Sequence, residues 1–276
     1  MNMPKIITWL VGMIYLLVSC TTPTMDKKQL VDYVNPYIGN ISHLLVPTFP
    51  TIHLPNSMLR VYPERTDYTA DKIKGLPIIV TNHREHSAFN LSPYQGNREA
   101  MAPVISYTYD HECIKPYFYS VYLDEPGIEV SYAPSHQSAL YELKMNPNAP
   151  AYLIFNSQDG EVEVNDNIIS GYQTLKDNVK VYIYMETDQI PLETMVLQTI
   201  GTNIYQKKAT GKNACVALYY GEKGKTIRVR YGISFISVEQ AHNNLRREIK
   251  NYDITTIIAT GRDIWNQTLG KIQIAG

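Results

Sequence analysis

Residues 81–96 hold the densest set of ligand-capable side chains in this sequence. Two histidines, one arginine, two asparagines and a glutamine fall within sixteen residues, and the segment lacks the alternation of a strand. Polar, irregular segments of this kind carry ligand contacts when a rigid scaffold holds them at the surface. His83, Arg84, His86, Asn90 and Tyr94 are therefore the candidate binding residues, offering donors and acceptors for a polar ligand and a ring for stacking. The competing reading is a polar loop whose His and Arg side chains bond backbone carbonyls. Acid–base chemistry would need a pair of carboxyl groups with divided roles. The pairs Asp67/Asp71, Asp124/Glu125 and Glu161/Glu163 all sit in polar, turn-like or exposed-strand contexts, where solvated surface carboxylates are the ordinary occupants. No catalytic residue is assigned. No D-x-D-x-D-G calcium loop occurs either, and Asn165-Asp166-Asn167 reads as a turn.

The elements that must position these groups read as β. Residues 117–123 and 128–132 are strand-like runs around the turn signal Asp124-Glu125-Pro126-Gly127. Val179, Val181, Ile183 and Met185 alternate with Lys180, Tyr182, Tyr184 and Glu186, and residues 226–231 alternate again. Residues 151–155 and 214–220 are more continuously apolar, as central strands are. Turn clusters fall at residues 146–148, 158–160, 166–167, 177–178 and 221–224. Many short strands at this spacing predict a large antiparallel β-sandwich. The period then changes. Ser237 and Gln240 form a capping-box pattern, followed by an apolar stripe of Val238, Ala241, Leu245 and Ile249. Asp253 reads as the N-cap of a second helix with Ile254, Ile257, Ile258, Gly261 and Trp265 on one face. The expected fold is thus mainly β, a sandwich followed by two linker helices. Their apolar stripe needs cover from the sandwich or from a following domain.

The 276 residues and 44% hydrophobic content support a proper core, and a formal net charge of −1 offers no field for nucleic acid. Tyrosine, at 22 residues, is unusually common, and strand packing is expected to absorb most of it. Residues 1–19 read as a lipoprotein signal peptide. Lys5 supplies the charge, residues 6–18 form an apolar run short for a bilayer span, and Leu17-Val18-Ser19-Cys20 fits a lipobox. Cys20 would be lipidated, residues 20–30 would be a tether, and the location would be the bacterial cell envelope, membrane-attached through the lipid. Cys113 and Cys215 leave room for one disulfide, although Cys215 lies in an apolar strand pattern that suits a buried thiol.

Three phrases carry a family resemblance. Val34-Asn35-Pro36-Tyr37-Ile38-Gly39, followed by Thr48-Phe49-Pro50 and residues 51–63, resembles the V-N-P-[FY]-I-G and T-F-P-G-A-x-x-P-F-G-M-V opening of glycoside hydrolase family 92. Residues 232–241 resemble its G-I-S-F-x-S-V-E-x-A phrase, and residues 264–272 its W-N-x-x-L-x-x-I phrase. Family 92 consists of calcium-dependent, inverting exo-α-mannosidases. The resemblance implies that residues 31–236 form the N-terminal β-sandwich and that residues 237–276 form a helical linker toward an (α/α) catalytic domain. That domain would carry the acid and base and is expected to begin about where this chain ends, on the same or a separate chain. The implied ligand is an α-mannoside glycan. Calcium is implied for the family, with no ligand to it assignable here, and the chain alone is expected to be inactive.

Residues 81–96 lie where the family has a G-F-S-H-T-H-L-S-G phrase. His83 matches its first His, Glu85 falls on the second, and His86 is displaced by one. Thr51 replaces a family Gly, and Asn56-Ser57 replaces Phe-Gly, which implies a reshaped site. Tyr94, Tyr107 and Tyr109 are rings able to stack on a pyranose, and His53 reads as a satisfied core or interface histidine. The alternative function is a lipid-anchored glycan-binding or scaffold protein without catalysis, marked by a polar outer face on the terminal helices.

Overall fold

A computed structural model describes residues 28–41, 48–67, 69–81, 86–199, 202–204 and 206–273. The residues read as a signal peptide, Cys20 and most of the expected tether lie outside these residues. The chain opens with a 3₁₀ turn, Leu30–Tyr33. Fourteen strands follow: β1 (Lys72–Lys74), β2 (Leu76–Ile79), β3 (Ala88–Tyr94), β4 (Ser106–Lys115), β5 (Phe118–Leu123), β6 (Ile128–Pro134), β7 (Ser138–Lys144), β8 (Tyr152–Asn165), β9 (Ile168–Thr174), β10 (Lys180–Thr187), β11 (Glu193–Thr199), β12 (Thr202–Ile204), β13 (Lys208–Tyr219) and β14 (Thr226–Ser234). Two helices close the chain, α1 (Val238–Glu248) and α2 (Ile254–Leu269).

Every named strand pairing is antiparallel, and the sheet branches at β8. The first half of β8 lies between β3 and β13, in register Asn90↔Asn156↔Cys215. Its second half lies between β9 and β13, in register Gly160↔Gln173. Three arms leave β8: β9-β10-β14-β7-β6-β5-β4-β1, β13-β11-β12, and β3 with β2. The turn expected at residues 158–160 is therefore a change of partner within one strand. Gly160 permits it, since a Cβ there would stand 2.0 Å from the Tyr172 carbonyl oxygen.

The two layers are joined through tyrosines. Tyr107, Tyr119, Tyr132, Tyr141 and Tyr231 are at most 2% exposed, so strand packing does absorb the bulkiest of them. Tyr141 donates to the Pro77 carbonyl at 2.6 Å, Tyr231 to Ile78 at 2.7 Å and Tyr107 to Pro93 at 2.8 Å. Each ring fills the gap between sheets while its hydroxyl satisfies a carbonyl of β2 or β3. Burial holds all three hydroxyls above the ordinary tyrosine pKa. Cys113 and Cys215 are free thiols. Cys215 is wholly buried, which pushes its thiol up to about 12.

The helices lie back on the sandwich. Ser237 caps α1, accepting from the Gln240 amide at 3.0 Å, while the Gln240 side chain donates to Asn244 instead of closing a capping box. Ala241, Leu245 and Ile249 are buried, with Leu245 and Ile249 against Ala133 and Leu140. Gly232 lets α1 reach β14, because a Cβ there would lie 2.2 Å from the Ala241 carbonyl oxygen. A buried ion pair ties the end of α1 down: Arg230 bonds Glu186 at 2.6 Å and the Ile249 carbonyl at 3.0 Å, and Arg246 reaches the same carboxylate. Asp253 caps α2 through the Thr255 and Thr256 amides. The α2 stripe packs on Leu54, Tyr117 and Val31. Its far end clasps the start of the chain, with Asn266 accepting from the Val31 amide at 3.0 Å and Arg262 paired with Asp32 at 2.7 Å.

Candidate functional site

The opening segment, residues 48–63, builds one rim of the sandwich. Ile52 and Val61 pair as an isolated bridge, and Ile52, Leu54, Leu59 and Val61 are buried. Between them Leu54-Pro55-Asn56-Ser57 turns back on itself: the Ser57 amide donates to Leu54, and Asn56 takes a φ of +57°. Asparagine tolerates this left-handed backbone, so the departure from the family's Phe-Gly leaves a well-formed turn. His53 is fixed through its main chain. Its amide donates to Pro116 at 2.9 Å, and its carbonyl accepts from the Trp265 indole at 3.0 Å. The imidazole stands edge-on to that indole, 5.9 Å between centroids. Its Nδ1 is buried without a partner among the described residues, so the side chain is less satisfied than the sequence suggests. Burial and then the Arg60 charge hold its pKa below the ordinary histidine value.

The polar segment after residue 80 rises from this same rim. The Val80 amide donates to the Arg60 carbonyl at 2.8 Å. Glu64 grips the segment where it returns, its carboxylate meeting His86 Nδ1 at 2.6 Å and accepting from the Ser87 amide at 3.2 Å. The Glu64 carbonyl also accepts from the Lys74 amide. Glu64 and His86 are thus brought together from two segments, while Arg60 meets the second segment through its carbonyl and His53 through its charge. Arg60 and Glu64 escaped the sequence reading, since neither belongs to a recognisable pattern. Arg60 could have been found as the one cation inside the opening phrase.

The candidate residues among those described, His86, Asn90 and Tyr94, do not form one cluster. His83 and Arg84 lie outside the described residues. His86 is exposed at the rim. Asn90 is a buried strand residue, donating to the Lys74 carbonyl at 3.0 Å and accepting from Ser92 at 3.0 Å. Tyr94 lies at the far end of β3, donating to the Asn97 carbonyl at 2.9 Å. Eight residues of extended chain separate it from His86, on the order of 25 Å, more than one sugar ring spans. The irregularity read as a loop is partly a left-handed residue within the strand: Phe89 is buried at φ +60° and its amide donates to Gln173 at 2.9 Å, while the register with β2 and β8 runs on without a shift. Apolar alternation is lost because β3 is buried on both faces. Tyr107 is core rather than a stacking surface, and Tyr109 is engaged by Arg65 at 2.6 Å.

The carboxylate pairs have structural partners. Glu161 and Glu163 share Lys208, Asp67 caps its own turn at Thr69, and Glu125 accepts from the Thr108 amide. Among the described residues no three His, Cys, Asp or Glu side chains come together as a metal site. The residues present do not fit an all-protein calcium cage.

A profile of the glycosyl hydrolase family 92 N-terminal domain matches residues 33–234. No protein of curated function matches the chain in sequence. Among solved structures, the fold is similar to that of a family 92 inverting mannosidase of Bacteroides thetaiotaomicron VPI-5482, with a TM-score of 0.76 and 23% identity, covering 91% of this chain. A family 92 α-mannosidase of Bacteroides thetaiotaomicron gives a TM-score of 0.78 at 19% identity, again over 91% of this chain. The chain spans 38% and 39% of the length of these two proteins. With its profile match running from the opening turn to the end of β14, and its sandwich and helices superposing on the N-terminal part of mannosidases, this chain belongs to glycosyl hydrolase family 92, whose N-terminal domain it contains.

Proposed function

We propose that this domain forms a non-catalytic wall of an α-mannoside site, completed by a helical domain that supplies the general acid and base. The observation that carries this reading is the shared rim. The opening segment and the polar segment after residue 80 are far apart in pattern, yet they are joined by the Arg60–Val80 hydrogen bond and the Glu64 clamp on His86 and Ser87. The exposed His86 imidazole and the Glu64 carboxylate it meets offer a donor and an acceptor to a hydroxyl. An inverting glycosidase sets two carboxyl groups apart around a water, and the carboxylate pairs of this chain are held by structural partners. Lipidation at Cys20, attachment to the bacterial cell envelope and a calcium supplied with the helical domain belong to the same proposal.

The test is release of mannose from α-mannobiosides in the presence of calcium. The purified mature chain alone should give none, and a mixture with a helical domain of the family should turn over. Turnover by the chain alone would overturn the division of roles.

A second reading, a glycan-binding or scaffold protein that works alone, draws support from the helices. Glu239, Asn243, Arg246, Thr255, Thr260 and Asp263 face outward while the apolar stripes are covered. Glycan binding without turnover, unchanged by an added helical domain, would favour it.

A further inference from the structure

We propose that the outer face of β8, β9 and β10, away from the rim, is a carbohydrate-contact platform centred on Tyr172 and Tyr182. The register places Thr210, Glu161, Tyr172, Tyr182 and Ser234 in one row across β13, β8, β9, β10 and β14. Their neighbours Val162, Ile169, Val181 and Ile183 are buried in the core, so the row faces the opposite side. Tyr172 and Tyr182 are a direct cross-strand pair, ring centroids 6.1 Å apart, and both are partly exposed. Lys180 stands 3.9 Å over the Tyr172 ring, which leaves the Tyr182 ring as the stacking surface and sets a donor beside it. Glu161, paired with Lys208 at 2.7 Å, adds acceptors at the other flank. At the β14 end the row runs out to Phe235 and Ile236, 39% and 75% exposed.

The chemistry of the row selects the ligand. Around the two rings most outward residues of these strands are polar, Ser170, Thr174, Lys180, Glu161 and Thr210, with Ile168 at the start of β9 and Tyr184 turned against His242 of α1. A pyranose offers an apolar ring face to a tyrosine and hydroxyls to the carboxylate, ammonium and hydroxyl groups around it. Adjacent strands lie about 4.8 Å apart, so the row can follow a short oligosaccharide rather than a single sugar. Restricting the class to α-mannans rests on the mannoside reading above. The platform would hold a polymer near the rim's site without entering it.

Affinity electrophoresis of the purified mature chain through gels containing soluble α-mannan, with a β-glucan gel as control, tests the proposal. The chain should be retarded by α-mannan. Tyr172→Thr/Tyr182→Thr, which removes both rings but keeps strand-favouring residues, should weaken retardation about tenfold. Tyr182→Phe should keep it. No retardation of the wild type in α-mannan, or full retardation of the double Thr variant, overturns the platform. Loss in His86→Ala alone would assign the binding to the rim and likewise overturn it. Failure of the rim reading is seen separately, in the mannose-release mixture.

Discussion

At the scale of single residues, the two groups with most at stake are His53 and the bridging tyrosines. His53 is held neutral by burial and by Arg60. Its folded pKa lies below the ordinary 6.5, so between those values the unfolded chain binds more protons. Stability therefore rises with pH through that window, and the contribution is lost as pH falls below about 6.5. Urea titrations at pH 7.5 and pH 5 should show His53→Gln losing less stability on acidification than the wild type, and an equal loss in both would remove His53 from the account. Tyr141 and Tyr231 act through their hydroxyls. Replacing either with Phe leaves the Pro77 or Ile78 carbonyl without its donor, at a cost of about 1–3 kcal/mol in urea unfolding. Phe variants as stable as wild type would mean that the rings alone join the layers.

At the scale of elements, the helices were legible and the sheet only partly so. Ser237, Asp253 and the two apolar stripes announced α1 and α2 because capping and a 3.6-residue period are local properties. The alternating runs at residues 179–186 and 226–231 announced β10 and β14 for the same reason. What local pattern could not carry was β3, buried on both faces with Phe89 at a positive φ, and the change of partner within β8. Both depend on which strand lies alongside, a long-range fact. The candidate residues split accordingly. Asn90 became a buried tie and Tyr94 a distant one, whereas Arg60 and Glu64 gained their place only through tertiary contact. Gly232 shows an element contact that the sequence hides in plain sight. Gly232→Ala would drive a Cβ into the Ala241 carbonyl, an overpacking expected to cost about 1–3 kcal/mol or more. Earlier proteolysis within α1 in thermal scans is the expected outcome, and an unchanged melting point would mean that the helix can slide. Arg230→Met would strand the Glu186 carboxylate in the core beside Arg246, a loss of about 3–5 kcal/mol, whereas Arg230→Met with Glu186→Leu should recover most of it.

At the scale of the whole molecule, the phrases that mark the family are the joints of the fold. The opening phrase and the tryptophan–asparagine phrase meet where Trp265 bonds His53, Asn266 bonds Val31 and Arg262 pairs with Asp32. The chain is thereby closed on itself across more than two hundred residues, and the rim that holds His53 is clamped by the last helix. Any domain attached through α2 would then press on the rim directly, and α2 would position it rather than merely connect it. The clasp should open as a unit. Asp32 is held below the ordinary carboxylate value by the Gln29 amide and by Arg262. Its contribution is complete above about 3.8 and is lost as pH falls through the lower folded value. Hydrogen exchange read across that range should show residues 28–62 and α2 losing protection together while β8 and β13 keep theirs. Asp32→Asn should show the same pairing of segments already at neutral pH. Trp265→Phe, which removes the indole donor alone, should loosen His53 at a cost of about 1 kcal/mol and leave the Asp32–Arg262 end protected. If residues 28–62 and α2 exchange independently, the rim is not coupled to the helix, and the linker cannot set its geometry.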